Sequence, residues 1–389
     1  MWILDRHIAG RYLANVVLLF ALLFLFAVAI DVIVGLDEFS AAARADALRA
    51  IGVDPADERS RGVDPPTFRY WMSLVHAVID FQGPRIAQFY AYMLGLVSVG
   101  AAGFTLAQMV RSRELVAILA TGTSLVRVGM VFIVVATGLN LLQLANQEVL
   151  LPRLAPLLVR GQGEILEGGL REFPVRLTRD GRGQLLWGKA LNPQEERITG
   201  FLLIERDGKG AAIARTSAAA ATWDAQRIGW RLEEGLRSSS RLVGADGSVL
   251  NEGETRAVDF AATDLSPRAL TIRQYGQYAQ MLSLDQLRQM RDEGGVAPEL
   301  ISRLTYLRLG SMLVNLLVLV AALPFFLLRE PANLLQQSIL CAAFTVPGAL
   351  GSLVAMTADI PGLSPAVSVF LPAAILLPIA LGRFGAMRT

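Results

Sequence analysis

Long uncharged apolar runs alternate with short charged punctuation along this chain, and the pattern changes completely in its middle third. Residues 86–110 and 128–147 carry no charged side chain. Each run is long enough to cross about 30 Å of hydrocarbon at about 1.5 Å per residue. The same pattern predicts six transmembrane helices, at about 12–36, 86–110, 128–148, 305–328, 333–358 and 360–382. Pro324, Pro347, Pro372 and Pro378 fall inside the later spans, where neighbouring helices must satisfy the carbonyls they free.

Residues 151–300 hold twenty basic and twenty acidic residues and no long apolar run. Short β-rich runs at 184–190, 198–206, 212–223, 229–233, 248–259 and 269–273 are separated by Gly, Asp and Pro. Trp223 to Trp230 reads as a hairpin turn. This spacing predicts an all-β, jelly-roll-like domain. Residues 283–293, with Ser283 as cap, read as a helix returning to the membrane. The chain therefore divides into a first membrane half (1–150), a β-domain (151–300) and a second membrane half (301–389). In the outer loop 37–84, residues 39–67 read as a short helix and a proline-punctuated loop. Residues 68–81 read as an interfacial or extended helix, and Gln82-Gly83-Pro84 starts or bends the second span.

Charge orients these elements. Arg6 and Arg11 precede the first span, Arg111, Arg113 and Arg127 crowd the link after the second, Arg329 follows the fourth, and Arg383 and Arg388 follow the sixth. Asp359, between the fifth and sixth spans, has no arginine beside it. The positive-inside rule then puts both termini in the cytoplasm and the β-domain outside. Residues 1–11 read as an interfacial lead-in rather than a cleaved leader, because the apolar run that follows is too long.

Composition narrows the chemistry. Apolar types make up 53% and charged types 18%, against roughly 25% charged in a soluble protein. A net charge of +2 gives no reason to expect nucleic acid. Cys341 is the one cysteine, and His7 and His76 are the only histidines, so no metal site or cofactor is expected. HExxH and GxSxG motifs are absent. Residues 183–190 approach a P-loop but end in Ala190, where Ser or Thr would hold magnesium. The chain reads as a non-enzyme whose energy comes from a partner.

The link 111–122 is the candidate coupling element. Glu114, Ile118 and Thr121 share one face at helical spacing, with Leu115 and Leu119 beside them. A short helix with an apolar side and a carboxylate can dock in a partner's groove. Asp31 is the one charge within the first span, where an ionisable group usually faces a cavity or a partner. Gly95, Gly100 and Gly103 let helices approach in the second span. Asn140, Gln143 and Asn146 give the third span a polar edge.

Six spans with a β-domain between the third and fourth, and the elbow Arg113-Glu114-Leu115-Val116-Ala117-Ile118-Leu119-Ala120-Thr121-Gly122, resemble the LptF/LptG family of lipopolysaccharide-export permeases. Ile3-Leu4-Asp5-Arg6, Asn146-Gln147-Glu148-Val149-Leu150-Leu151-Pro152 and Trp230-Arg231-Leu232 fit as well. The resemblance is somewhat closer to LptG. It implies a half-permease that pairs with a second LptF/LptG-type subunit around a cavity for lipopolysaccharide. It implies a cytoplasmic LptB-like ABC ATPase dimer gripping the elbow, and LptC/LptA-like periplasmic bridge proteins receiving lipid from the β-domain. On this resemblance Glu114 contacts the ATPase, with Arg111, Arg113, Leu115 and Ile118 around it. Residues 41–67 look like an insertion. Asp31 stands about where LptG members carry a basic residue suited to lipid phosphates, which leaves Arg85 and Arg308 as candidates near the cavity. The competing reading is a membrane scaffold or mechanotransmitter with an outer β binding module and no lipid path. An intramembrane enzyme using Asp31, Glu148 or His76 has no convincing constellation.

Overall fold

The computed structural model describes residues 2–55, 63–161, 165–166, 171–208, 210–239, 242–243, 249–251, 254–276, 278–293, 298–327, 333–358 and 362–387. Arg329, Asp359 and Arg388 lie outside the described residues, as does part of the 41–67 segment. In chain order the helices are α1 (Trp2–Val34), α2 (Leu36–Arg49), α3 (Thr67–Gln82), α4 (Arg85–Arg111), α5 (Glu114–Ala120), α6 (Leu125–Ala145), α7 (Leu151–Leu158), α8 (Pro267–Gln274), α9 (Tyr278–Met281), α10 (Leu284–Glu293), α11 (Pro298–Ala322), α12 (Leu334–Thr357) and α13 (Pro365–Ala386). Contacts group the chain into two compact units, Met1–Pro152 with Ser302–Thr389, and Arg153–Ile301.

Among the described residues six helical segments are long and apolar enough to span a membrane: Ile3–Val34, Arg85–Arg111, Leu125–Leu158, Pro298–Phe325, Leu334–Thr357 and Pro365–Ala386. The residues read as a lead-in are helical from Trp2 onward and continuous with the first span. The helix does not stop at the far end either. Gly35 N–H donates to Asp31 O at 2.9 Å and Phe39 N–H to Gly35 O at 3.0 Å, so α2 prolongs α1. Helices α2 and α3 form an antiparallel hairpin. Phe39, Ala43 and Ala47 are buried together with Ala77 and Phe81, and the Phe39 and Phe81 rings meet edge-on at 5.5 Å.

Helix α1 lies along α4. Tyr12 Oη donates to Ser98 O at 3.1 Å, and Asn15 Nδ2 to Thr105 Oγ1 at 2.8 Å. Gly100 leaves room for Leu19 against α4, since a Cβ there would stand 2.9 Å from Leu19 Cδ2. The polar edge of the third span faces inward. Asn146 Nδ2 donates to Ala87 O at 2.9 Å and Asn315 Nδ2 to Asn140 Oδ1 at 3.4 Å. The π-turn Asn146–Leu150 joins α6 to α7.

The second unit is an antiparallel sheet ordered β1 (Phe173–Arg179), β2 (Leu185–Asn192), β3 (Arg197–Arg206), β4 (Ala212–Asp224), β5 (Gly229–Glu233) and, beside β5, β10 (Phe260–Ala262). Strand β6 (Leu236–Ser239) pairs with β4 and with β9 (Thr255–Ala257), while β7 (Leu242–Val243) and β8 (Val249–Asn251) form a separate ribbon. The long β4 pairs with β6 along its first half and with β5 along its second. Strands β5 and β6 are thus one strand broken at Glu234-Gly235. Glu234 has φ 56°, and a Cβ on Gly235 would stand 2.2 Å from Val258 O. Trp230 is fully buried and its indole N–H donates to Leu265 O at 3.1 Å.

The expected 223–230 hairpin is present, with Asp224 Oδ1 accepting from the Gln226 and Arg227 N–H groups at 3.1 and 3.2 Å. The expected helix is α10, closed by reciprocal bonds between Ser283 and Gln286, a capping-box arrangement. The expected strand at 269–273 is corrected: those residues lie in α8. Ser266 accepts from Ala269 N–H at 3.2 Å and Pro267 takes the first helical turn, a pairing that starts helices.

Candidate functional site

The elbow is built by backbone geometry. Helix α4 ends at Arg111, and Arg113 adopts a left-handed conformation at φ 59° that turns the chain into α5. Gly122, at φ 82°, turns it out again, and Ser124 caps α6. Glu114 opens α5, where a carboxylate suits the positive end of a helix. Its side chain is ion-paired with Arg11 of α1. On the other side of the elbow, Arg127 Nη2 lies 3.0 Å from Asp5 Oδ2.

Leu115 and Ile118 do not face outward. They are 2% and 9% exposed and belong to the core cluster with Met109, Leu125 and Val128. The sequence reading that placed them on a docking surface is corrected here: they anchor α5 to its own chain. The face left open carries Val116, Ala117 and Ala120, with Arg111 and Arg113 beside it.

At the opposite ends of α1 and α4, Asp31 accepts from Gln82 and lies 3.2 Å from Arg85 Nη1. Arg85 also stacks over the Phe81 ring at 3.8 Å. Arg308, inside α11, is 5% exposed and ion-paired with Glu148 in the π-turn. Both arginines proposed for lipid phosphates therefore have carboxylate partners within the chain. Asp5, Arg11, Arg127, Gln82 and Glu148 complete these clusters. Sequence spacing gave no signal for the pairings, because the partners are far apart in the chain.

Between these two charged layers lies an apolar groove of about 370 Å³. Leu19 and Leu23 of α1, Gly100 and Phe104 of α4, and Cys341 and Thr345 of α12 line it. Gly103, on the same wall, brings α4 against the Phe326 ring, 3.0 Å from where a Cβ would be. The groove offers hydrocarbon surface with a few hydroxyl and thiol groups. Among the described residues no cluster of three His, Cys, Asp or Glu could hold a metal ion, and the near-P-loop at 183–190 runs into β2, with no helix after it.

Residues 76–385 match the family model for the lipopolysaccharide export system permease LptF/LptG. The chain belongs to the LptF/LptG family. No curated protein matches it significantly. As an LptF/LptG chain it is a multi-pass membrane permease of the lipopolysaccharide export system, a permease subunit and not an enzyme. Its six apolar helices and antiparallel β-domain agree with that membership.

Proposed function

We propose that this subunit extracts lipopolysaccharide from the inner membrane, with a separate cytoplasmic ATPase supplying the energy. A second LptF/LptG-type subunit completes the cavity, and the β-domain passes the lipid to a periplasmic bridge. The observation that carries this reading is the apolar groove between α1, α4 and α12. In a membrane chain an exposed apolar surface is ordinary, but a groove lined by three helices, with glycines setting its depth, can admit an acyl chain. The arginines at 111, 113 and 127 support a cytoplasmic elbow. The exposed strip Val116, Ala117 and Ala120 is the part of α5 that meets the ATPase. Arg11–Glu114 and Asp5–Arg127 then carry motion of the elbow to α1, which forms one wall of the groove.

The test is a photo-crosslinking side chain at Leu19 or Thr345 in the assembled, ATPase-containing complex. Adducts with lipopolysaccharide at these positions are expected. Their absence from a complex that exports lipid would overturn the groove as the lipid path.

A further inference from the structure

Helix α3 carries an apolar stripe that nothing in the hairpin covers. Phe68 is 76% exposed, Trp71 58%, Met72 59%, Val75 56% and Ile79 62%. Their spacing puts them on one helical face. The opposite face, with Ser73, Ala77 and Phe81, is buried, and Ser73 donates to Asp46 of α2 at 2.8 Å. Several large apolar side chains in a row mark a contact surface rather than scattered exposure.

The bilayer is a poor cover for this stripe. Helix α4 has 27 residues from Arg85 to Arg111, about 40 Å of helix, which already exceeds the roughly 30 Å of hydrocarbon. The backbone stays right-handed helical through Gly83 (φ −55°, ψ −52°) and Pro84 (φ −58°, ψ −32°), so α3 prolongs α4 outward. Phe68 therefore stands about 25 Å further along that path than Arg85.

The direction of the stripe identifies its occupant. Ile79 and Ile86 are two helical turns apart, and Ile86 is 45% exposed. Phe104 lies five turns beyond Ile86, and Gly100 about four; both line the groove. The exposed face of α3 thus continues the groove wall of α4 beyond the outer charged layer of Asp31 and Arg85. We propose that the α2–α3 hairpin is an apolar ramp for the acyl chains of the exported glycolipid, shielding them from water as they leave the groove. The hydrophobic cost of lifting acyl chains out of a bilayer makes such a cover useful, because every methylene exposed to water is unfavourable. This inference rests on the proposed lipid path and extends it past the membrane.

The experiment places a photo-crosslinking side chain at Trp71, Val75, Arg69 or Leu19 of the full chain, in its ATPase-containing complex in native membrane. Arg69 is exposed on α3 but off the stripe. Lipopolysaccharide adducts at Trp71 and Val75 that require ATP, with none at Arg69, are expected. Phospholipid adducts at Trp71 and Val75 regardless of ATP would make the stripe a bilayer contact and overturn the ramp. Adducts with another protein would overturn it too. Lipopolysaccharide at Leu19 with none at Trp71 or Val75 removes the ramp and leaves the groove standing. Blanks at Leu19, Trp71 and Val75 alike remove both.

Discussion

Arg11 of α1 and Glu114 of α5 form an ion pair across 103 residues of sequence. With Asp5–Arg127 at 3.0 Å, the first turns of α1 are tied to the elbow at both its start and its end. These contacts join the elbow to α1, the helix that carries Leu19 and Leu23 of the groove.

The pair is partly exposed, so its own contribution to stability is small. Arg11→Ala and Glu114→Ala should show a coupling of about 0.5–1 kcal/mol in a double-mutant cycle read by thermal unfolding. The exchange Arg11→Glu with Glu114→Arg should recover that stability. If the pair serves only to tie α5 to α1, the exchange should also recover the ATPase on co-purification; loss of the ATPase despite recovered stability would show that the Glu114 carboxylate itself meets the partner.

The two faces of α5 should separate stability from coupling. Leu115→Ala empties a core position and should destabilise the chain by about 2–4 kcal/mol. Val116→Asp, on the open face, should change stability by less than about 0.5 kcal/mol. It should nevertheless reduce recovery of the ATPase on co-purification. Equal loss of ATPase with unchanged stability in both variants would contradict the assignment of faces.

Arg308 and Glu148 form the most buried ion pair described between spans. Removing one charge strands the other. Arg308→Met should cost about 3 kcal/mol, and Arg308→Met with Glu148→Leu should restore most of it. Thermal unfolding of the purified subunit reads both.

In the β-domain, the Arg227 backbone N–H, with Arg231 and the Gln226 N–H, holds the Asp224 carboxyl below its ordinary value. A depressed carboxylate contributes stability above its unfolded-state value and loses it as pH falls through the folded one. Amide protection at Gln226 and Arg227, corrected for intrinsic exchange, should fall with pH below the ordinary carboxylate range. In Asp224→Asn that pH dependence should disappear.

The six spans were legible because uncharged runs of twenty residues have few other uses. Strands β2 to β5 were legible from β-rich composition between turn residues. Strand β1 was not, since Pro174 and two arginines interrupt its run, and its pairing with β2 supplies what composition does not. The 269–273 segment was misread because its β-branched residues were weighed without the Ser266-Pro267 start signal. Leu115 and Ile118 were legible as an apolar face, but whether that face meets a partner or the chain's own core depends on α4 and α6. The carboxylate partners of Arg85 and Arg308 come from elements brought together only by the fold.

The most direct test of the central claim is co-purification from native membrane in mild detergent, comparing wild type with Glu114→Arg. The account predicts an ATP-binding subunit recovered with the wild type and lost with a variant that remains folded and monodisperse. An export-competent preparation with no ATP-binding subunit, or one retained undiminished by Glu114→Arg, would contradict the elbow as the coupling site.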